Sequence, residues 1–357
     1  MRRLLSVVIG VALLLGAAPV WGQSSSSTLY VCNQGEATIS VIDMESMAVE
    51  ATVNLQERGF SENSKPHHVV AEPDGSHWYV SLIGANTILK FNRQNEIVDR
   101  LDDFEVPGLL ALDPEKDVLY AGRSMSAVNP PQSLGVIQRE EMEIQERIDT
   151  FFPRPHALTA TPAGDFAFIA SLATNQLMGI DTESWGTELT RLGGTTQTPV
   201  QFAATADGSR LIAGGQKTGQ LLVYDATAAP KLSVVDTLAV GEQPWHPVIG
   251  RRSGLAYVPN KMSHSISVVD VDNASVQATI RGDGIAQPHG TALSADGQHL
   301  FVSNNNREGR YEPRGDNSDA GTVTVIDTET NEIVEIIEVG TYPTGIGTAG
   351  GAQAVAP

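Results

Sequence analysis

Cysteine is almost missing from this chain: Cys32 is the only one in 357 residues. An internal disulfide is therefore excluded, and Cys32, inside an apolar strand, reads as a small buried hydrophobe. No cysteine occupies a lipobox-like position at the end of the N-terminal apolar run, which argues against a lipid anchor. Beyond that run no hydrophobic stretch reaches bilayer length, so no membrane insertion is expected of the mature protein. Positive charge is scarce as well, with 23 Lys and Arg against 42 Asp and Glu and a net charge of −19. Such a surface repels nucleic acid and anionic lipid and favours solubility. Also lacking are a phosphate-cradling glycine loop, a Ser-centred nucleophile elbow, and aromatics interleaved with basic residues.

What is present is a repeat. Seven times a proline opens a short apolar strand, at Pro66, Pro107, Pro155, Pro199, Pro244, Pro288 and Pro343, with intervals of 41 to 55 residues. A turn follows, as in Pro73-Asp74-Gly75, Asp207-Gly208 and Asp296-Gly297, where Asp supplies a side-chain hydrogen bond and Gly a permissive backbone. Next comes a strong strand such as Trp78-Tyr79-Val80-Ser81 or Leu300-Phe301-Val302-Ser303. A third strand ends in a carboxylate-led turn (Asp43, Asp181, Asp225, Asp270, Asp327), and a fourth is polar-edged, as in Glu332 to Ile337. Four short strands per unit of about 40–45 residues predict an all-β fold, a seven-bladed β-propeller with four antiparallel strands per blade. Thr28 to Val31 is a second strand with no first, and Tyr342 to Ile346 is a first strand with no successor. Pairing the N- and C-terminal strands in one blade closes the ring.

The N-terminus reads as an export signal. Met1-Arg2-Arg3 precedes an apolar run from Leu4 to Ala18, and Gly22 offers a small residue for cleavage. The expected organisation is a signal peptide over 1–22, a flexible lead over 23–27, the propeller over 28–350 and a tail over 351–357. The expected location is periplasmic or secreted.

In a propeller the proline-led strand lines the central channel, and the loop into it opens on the same face as the second-to-third loops. Two of those loops are long, Arg123 to Ser133 and Asn304 to Gly321, and long loops grouped on a rigid scaffold are where binding usually sits. Five of the eight histidines start the channel strand. His67, His156 and His289 directly follow the repeat proline, and His68 and His246 come one position later. Imidazoles converging on one rim suit copper, zinc or iron. They equally suit acid–base chemistry near neutral pH, or plain structural service capping the channel. His77, His264 and His299 lie away from this rim and read as structural. Asn33, Arg123, Asn260, Lys261, Asn304, Asn305 and Arg307 end second strands or begin the loops after them. Of these, Arg123, Asn260, Asn304 and Arg307 are candidate ligand-binding residues, and Arg123 is suited to a carboxylate or phosphate. The Arg314-Gly315-Asp316 triplet reads as chance in a polar loop.

Several stretches carry a family resemblance: Pro288-His289-Gly290, Ala295 to Asn304, Thr322 to Thr330, and Thr28 to Asp43 with Leu29-Tyr30-Val31-Cys32-Asn33. In them the chain resembles the YVTN-repeat, or YncE-like, family of seven-bladed propellers. The resemblance implies export and a binding role more than a defined reaction. Related propellers include a histidine-ringed copper domain, a haem-binding domain, lactonases and lyases. The third and fifth blades depart from the pattern, lacking both the rim histidine and the Asn after the second strand. Three classes stay open. The first is an exported binding propeller recognising a metal ion, cofactor, small ligand or protein at the His-lined top face. The second is a lactonase-like hydrolase or lyase acting there, with no catalytic residue assigned. The third is a structural or adhesive surface protein. The reading leans away from an enzyme.

Overall fold

The computed structural model describes residues 28–126 and 128–349. The signal-peptide, lead and tail readings fall outside them. The described strands form seven four-stranded antiparallel sheets arranged as blades, so the chain is a seven-bladed β-propeller.

Blade 1 is built from both ends of the described chain. Its inner strand is Pro343–Ala349, followed outward by Thr28–Asn33, Thr38–Asp43 and Ala48–Asn54. Thr28 pairs with Ala349, Tyr30 with Gly347 and Asn33 with Pro343, which is the predicted closure. Blades 2 to 7 follow in chain order. Their inner strands are Pro66–Ala71, Pro107–Leu112, Pro155–Ala160, Pro199–Ala204, Val248–Ile249 and Pro288–Leu293. Blade 6 has the short inner strand because Pro247 interrupts it, and Pro244 joins the sheet only through a bridge to Asn260.

The turns form as their residues dictate. Gly75, Gly208 and Gly297 take left-handed φ values of 69°, 69° and 74°, beside Asp74, Asp207 and Asp296, whose carboxylates accept backbone N–H bonds. The outer turns repeat the device: Asp43 accepts from Ser46 N at 2.6 Å and Asp327 from Thr330 N at 2.8 Å.

Packing lies between blades. Each of seven apolar clusters takes its side chains from two neighbouring blades, as sheet faces stack across each wedge. Between blades 1 and 2, Trp78 stacks on Tyr30 at 4.4 Å and on Phe91 at 3.9 Å, with its indole N–H donating to Asn92 O. Cys32 sits fully buried in this cluster, and burial pushes its thiol pKa up.

Glycine sets the channel width on one side. A Cβ at Gly345 would lie 2.4 Å from His67 O, and one at Gly347 would lie 2.4 Å from Val69 O. The inner strand of blade 1 therefore lies flush against that of blade 2, and side chains from opposite blades meet across the axis.

Candidate functional site

The proline end of each inner strand marks the top of the channel. Register shifts directly after the proline in blades 2, 4 and 7 re-aim the next side chains. His67 and His68 are both buried although they are neighbours on one strand, and His156, His246 and His289 are buried with them, all five between 3% and 6% exposed. The upper layer, one residue past the proline, holds His67, His156, His289 and Trp245. The layer below holds His68, His246 and Gln201. Blade 3 offers Gly108 at the upper position, and Ser124 Oγ occupies the space beside it, 2.6 Å from His156 Nδ1.

The rings touch one another. Centroid separations are 5.9 Å for His67 and His156, 6.0 Å for His68 and His246, and 4.7 Å for His246 and His289. Hydrogen bonds settle two tautomers. Trp245 Nε1 donates to His289 Nε2 at 2.6 Å, so the neutral His289 ring carries its proton on Nδ1. Leu110 N donates to His68 Nδ1 at 3.2 Å, which leaves that proton on Nε2. Other nitrogens have no partner among the described residues: both of His67, Nε2 of His246 and Nδ1 of His289.

Burial dominates the electrostatics. It pulls His67 down to about 4 and His68 to about 3, and drives His156, His246 and His289 well below the usual histidine range. Neighbouring imidazoles and the cations Lys261 and Arg154 add to the same effect, and no carboxylate is among the charges acting on any of the five. The cluster is neutral at physiological pH.

Alternating cations and aromatics cover the top. Lys261 Nζ lies 4.9 Å from the Trp245 ring centre and 5.7 Å from that of Tyr342, and Arg307 lies 4.9 Å from Tyr342. Burial and the adjacent Arg307 lower the Lys261 ammonium to about 8.

The other candidates are placed elsewhere. Arg123 pairs with Glu105 at 2.9 Å, donates to Ser133 and packs over Phe104, inside blade 3. Asn260 donates to Ser265 and Ser267, Asn33 to Thr38 and Ser40, and Asn304 to Val302 O and Thr324. Each pins its own second-to-third hairpin. The long loop after Asn304 is tied down rather than open, because Tyr311 is buried and both Tyr311 and the Arg314 and Gly315 amides bond to Glu338. His264 faces Glu308 at 3.4 Å and accepts from Gln287 N, away from the cluster. Sequence reasoning missed Trp245, Ser124, Arg154 and Tyr342. For Trp245 the signal was there, since it holds the same offset after Pro244 as His67 holds after Pro66.

Among the described residues, no three of these imidazoles bring nitrogens within 4.8 Å of one another; the group that meets that distance is the exposed Asp117, Glu140 and Glu141.

Fold and site together define a seven-bladed β-propeller whose channel is filled at one end by neutral imidazoles. No family model matches the chain. It is 26% identical over 284 residues to Antigen Lp49 of Leptospira interrogans (serogroup Icterohaemorrhagiae, serovar copenhageni, strain Fiocruz L1-130), covering 78% of this chain and 51% of that protein. The chain thus spans about half the length of that curated relative. A functionally unknown protein from Desulfotomaculum acetoxidans DSM 771 shares the fold with a TM-score of 0.71 at 13% identity, over 91% of this chain and 99% of the other. Hydrazine synthase of Kuenenia stuttgartiensis does so at 0.58 and 17%, over 68% and 80%. Both likenesses are of fold alone.

Proposed function

We propose that this chain is an exported binding propeller of the YVTN/YncE type that takes a copper or zinc ion among its channel histidines. The observation that carries the reading is the set of buried imidazole nitrogens with no partner among the described residues, in a cluster where none of those residues brings a carboxylate. Each such nitrogen costs about 1–3 kcal/mol unless something bonds to it. Neutral imidazole is the form that ligates, and it suits copper, zinc and iron. His67 and His246 are the ligands the hydrogen bonding leaves most available, and His156, bonded to Ser124 through Nδ1, can add only its Nε2. His289 is held by Trp245, and His68 by Leu110 N. Because no three nitrogens lie within 4.8 Å, metal uptake must draw the rings together. Export rests on the Met1–Gly22 pattern, and likeness to a protein named as an antigen accords with exposure outside the cytoplasm.

The test is copper(II) and zinc titration of the purified protein, read by elemental analysis after gel filtration and by tryptophan emission. One ion or more per chain is expected, with copper quenching an emission component that Trp245→Phe removes. His67→Ala/His156→Ala should lose the ion and keep the fold. Equal retention by the double variant, or no retention by the parent, would sink the reading.

A hydrolase or lyase at the same face is the second reading, favoured by Lys261: a half-buried amine lowered to about 8 beside neutral imidazoles is a usable base near neutral pH. It predicts turnover of a lactone or ester that Lys261→Met abolishes.

A further inference from the structure

Below the histidines the channel opens into a second compartment. A cavity of about 250 Å³ is lined by all seven inner strands and runs to the turns at the bottom face, around Pro73, Pro114 and Arg251. His68 and His246 form its roof. His67, His156, His289 and Lys261 are not among its walls, so it is separate from the upper layer. Its sides are about evenly polar and apolar, the apolar share coming from the channel edges of Val70, Leu110, Leu158, Phe202, Val248 and Ile346, whose side chains otherwise pack between blades.

Three of its lining residues carry buried polar atoms that find no partner among the described residues: His246 Nε2, Gln201 Oε1 and Thr348 Oγ1. Thr348 is 3% exposed and His246 5%. His68, with its proton on Nε2, adds a donor at the roof. The charged residues of the lining, Glu72, Asp113, Arg139 and Arg251, all sit at the mouth. Arg139 holds Glu72 in a two-pronged bond at 2.8 and 2.9 Å, and Asp113 takes the Tyr120 hydroxyl at 2.7 Å. Deep in the channel, under His68 and His246, no charged side chain lines the wall, so a charged group there would lose its hydration with no adjacent counter-charge. An uncharged hydroxyl or carbonyl would meet groups of matching type. For scale, a purely apolar cavity of about 150 Å³ accepts benzene.

We propose that the lower channel is a binding site for a small uncharged ring compound bearing a hydroxyl or carbonyl group, entering from the bottom face and lying under His68 and His246. The polar group bonds among His246, Gln201 and Thr348, and the ring lies against the apolar edges. His246 is shared with the metal ligands proposed above, whereas Gln201 and Thr348 belong to the lower compartment alone.

The probe is p-cresol, compared with toluene, benzoate and benzylamine, with binding followed by methyl NMR of the full chain and by calorimetry. The variants are Gln201→Leu and Thr348→Val, singly and together. Each removes a buried polar atom that lacks a partner, and because Gln201→Leu also gives up the 3.5 Å bond from Nε2 to Leu158 O, retention of the fold is read from the unfolding midpoint. Saturable one-to-one binding of p-cresol is expected, with affinity at least fivefold weaker in the double variant. Toluene should bind equally to parent and double variant, and His67→Ala should leave p-cresol affinity unchanged. Failure of p-cresol to saturate, equal p-cresol affinity in parent and double variant, or tighter binding of benzoate or benzylamine would overturn the proposal. Metal retention is read on the same samples, so loss of the upper-layer reading leaves this one standing or falling by its own result.

Discussion

His67 has both ring nitrogens buried and unpartnered among the described residues, and its protonation behaviour follows from that burial. An unfolded chain takes up this proton near 6.5, whereas the folded ring does so near 4, and His68 near 3. Below 6.5 the unfolded state therefore binds protons that the native state refuses, and stability falls as pH falls. The urea midpoint should decline from pH 7 towards 4, and the decline should be shallower in His67→Gln/His68→Gln. The turn carboxylates of Asp207, Asp225 and Asp327 have lowered values, so they stabilise above their ordinary value of 3.8 and lose that contribution only at lower pH. The two windows are separable in one pH series. Metal retention should be flat from pH 8 to about 5, because protons compete for these rings only near their folded values. The height of each histidine in the channel was legible from its offset after the repeat proline. The ring-to-ring distances were not, because they depend on how closely the glycines of one inner strand let the next approach.

At the level of strands and turns, the hairpin asparagines behave as fasteners. Asn260→Ala should leave the Ser265 and Ser267 hydroxyls without that donor and cost about 1–3 kcal/mol in chemical unfolding, with metal retention unchanged. A change in metal affinity instead would return Asn260 to the binding face. The sequence placed these residues at the ends of second strands but not their partners, although Asn33 with Thr38 and Ser40 shows the same spacing. Neighbouring blades also key together at single points. A Cβ on Gly179 would fall 1.8 Å from Pro230 O, whereas one on Gly193 would meet nothing within 4 Å. Gly179→Ala should lower stability by about 1–3 kcal/mol through overcrowding, and Gly193→Ala should not. Equal melting temperatures for the two would refute the keyed contact. No sequence pattern announces such a contact, since its two sides lie in different repeats.

The whole ring depends on a joint between residues far apart in the chain. The seven-blade count and this joint were both legible, because each end supplied the piece of the repeat that the other lacked. Ending the chain before Pro343 removes the inner strand of blade 1 and exposes the full hydrogen-bonding edge of Thr28–Asn33. The truncated protein should melt lower and aggregate. A circular permutant that joins the two ends and opens instead in an exposed outer turn should regain the parent transition. If truncation leaves the melting curve in place, the ring does not depend on its joint. Cavity and histidine layers should fail together in the truncated form, since Ile346 and Thr348 belong to the channel wall.

That joint also sets a clock. At a synthesis rate of about 5–20 residues per second, the edge of Thr28–Asn33 waits roughly 15–60 s for Ala349 to be made. Through that interval the earliest blade has a naked strand edge of the kind that recruits foreign strands. The nascent chain is thus exposed to mispairing for nearly its entire birth, and whatever shields Thr28 to Asn33 in the meantime governs the yield of closed rings.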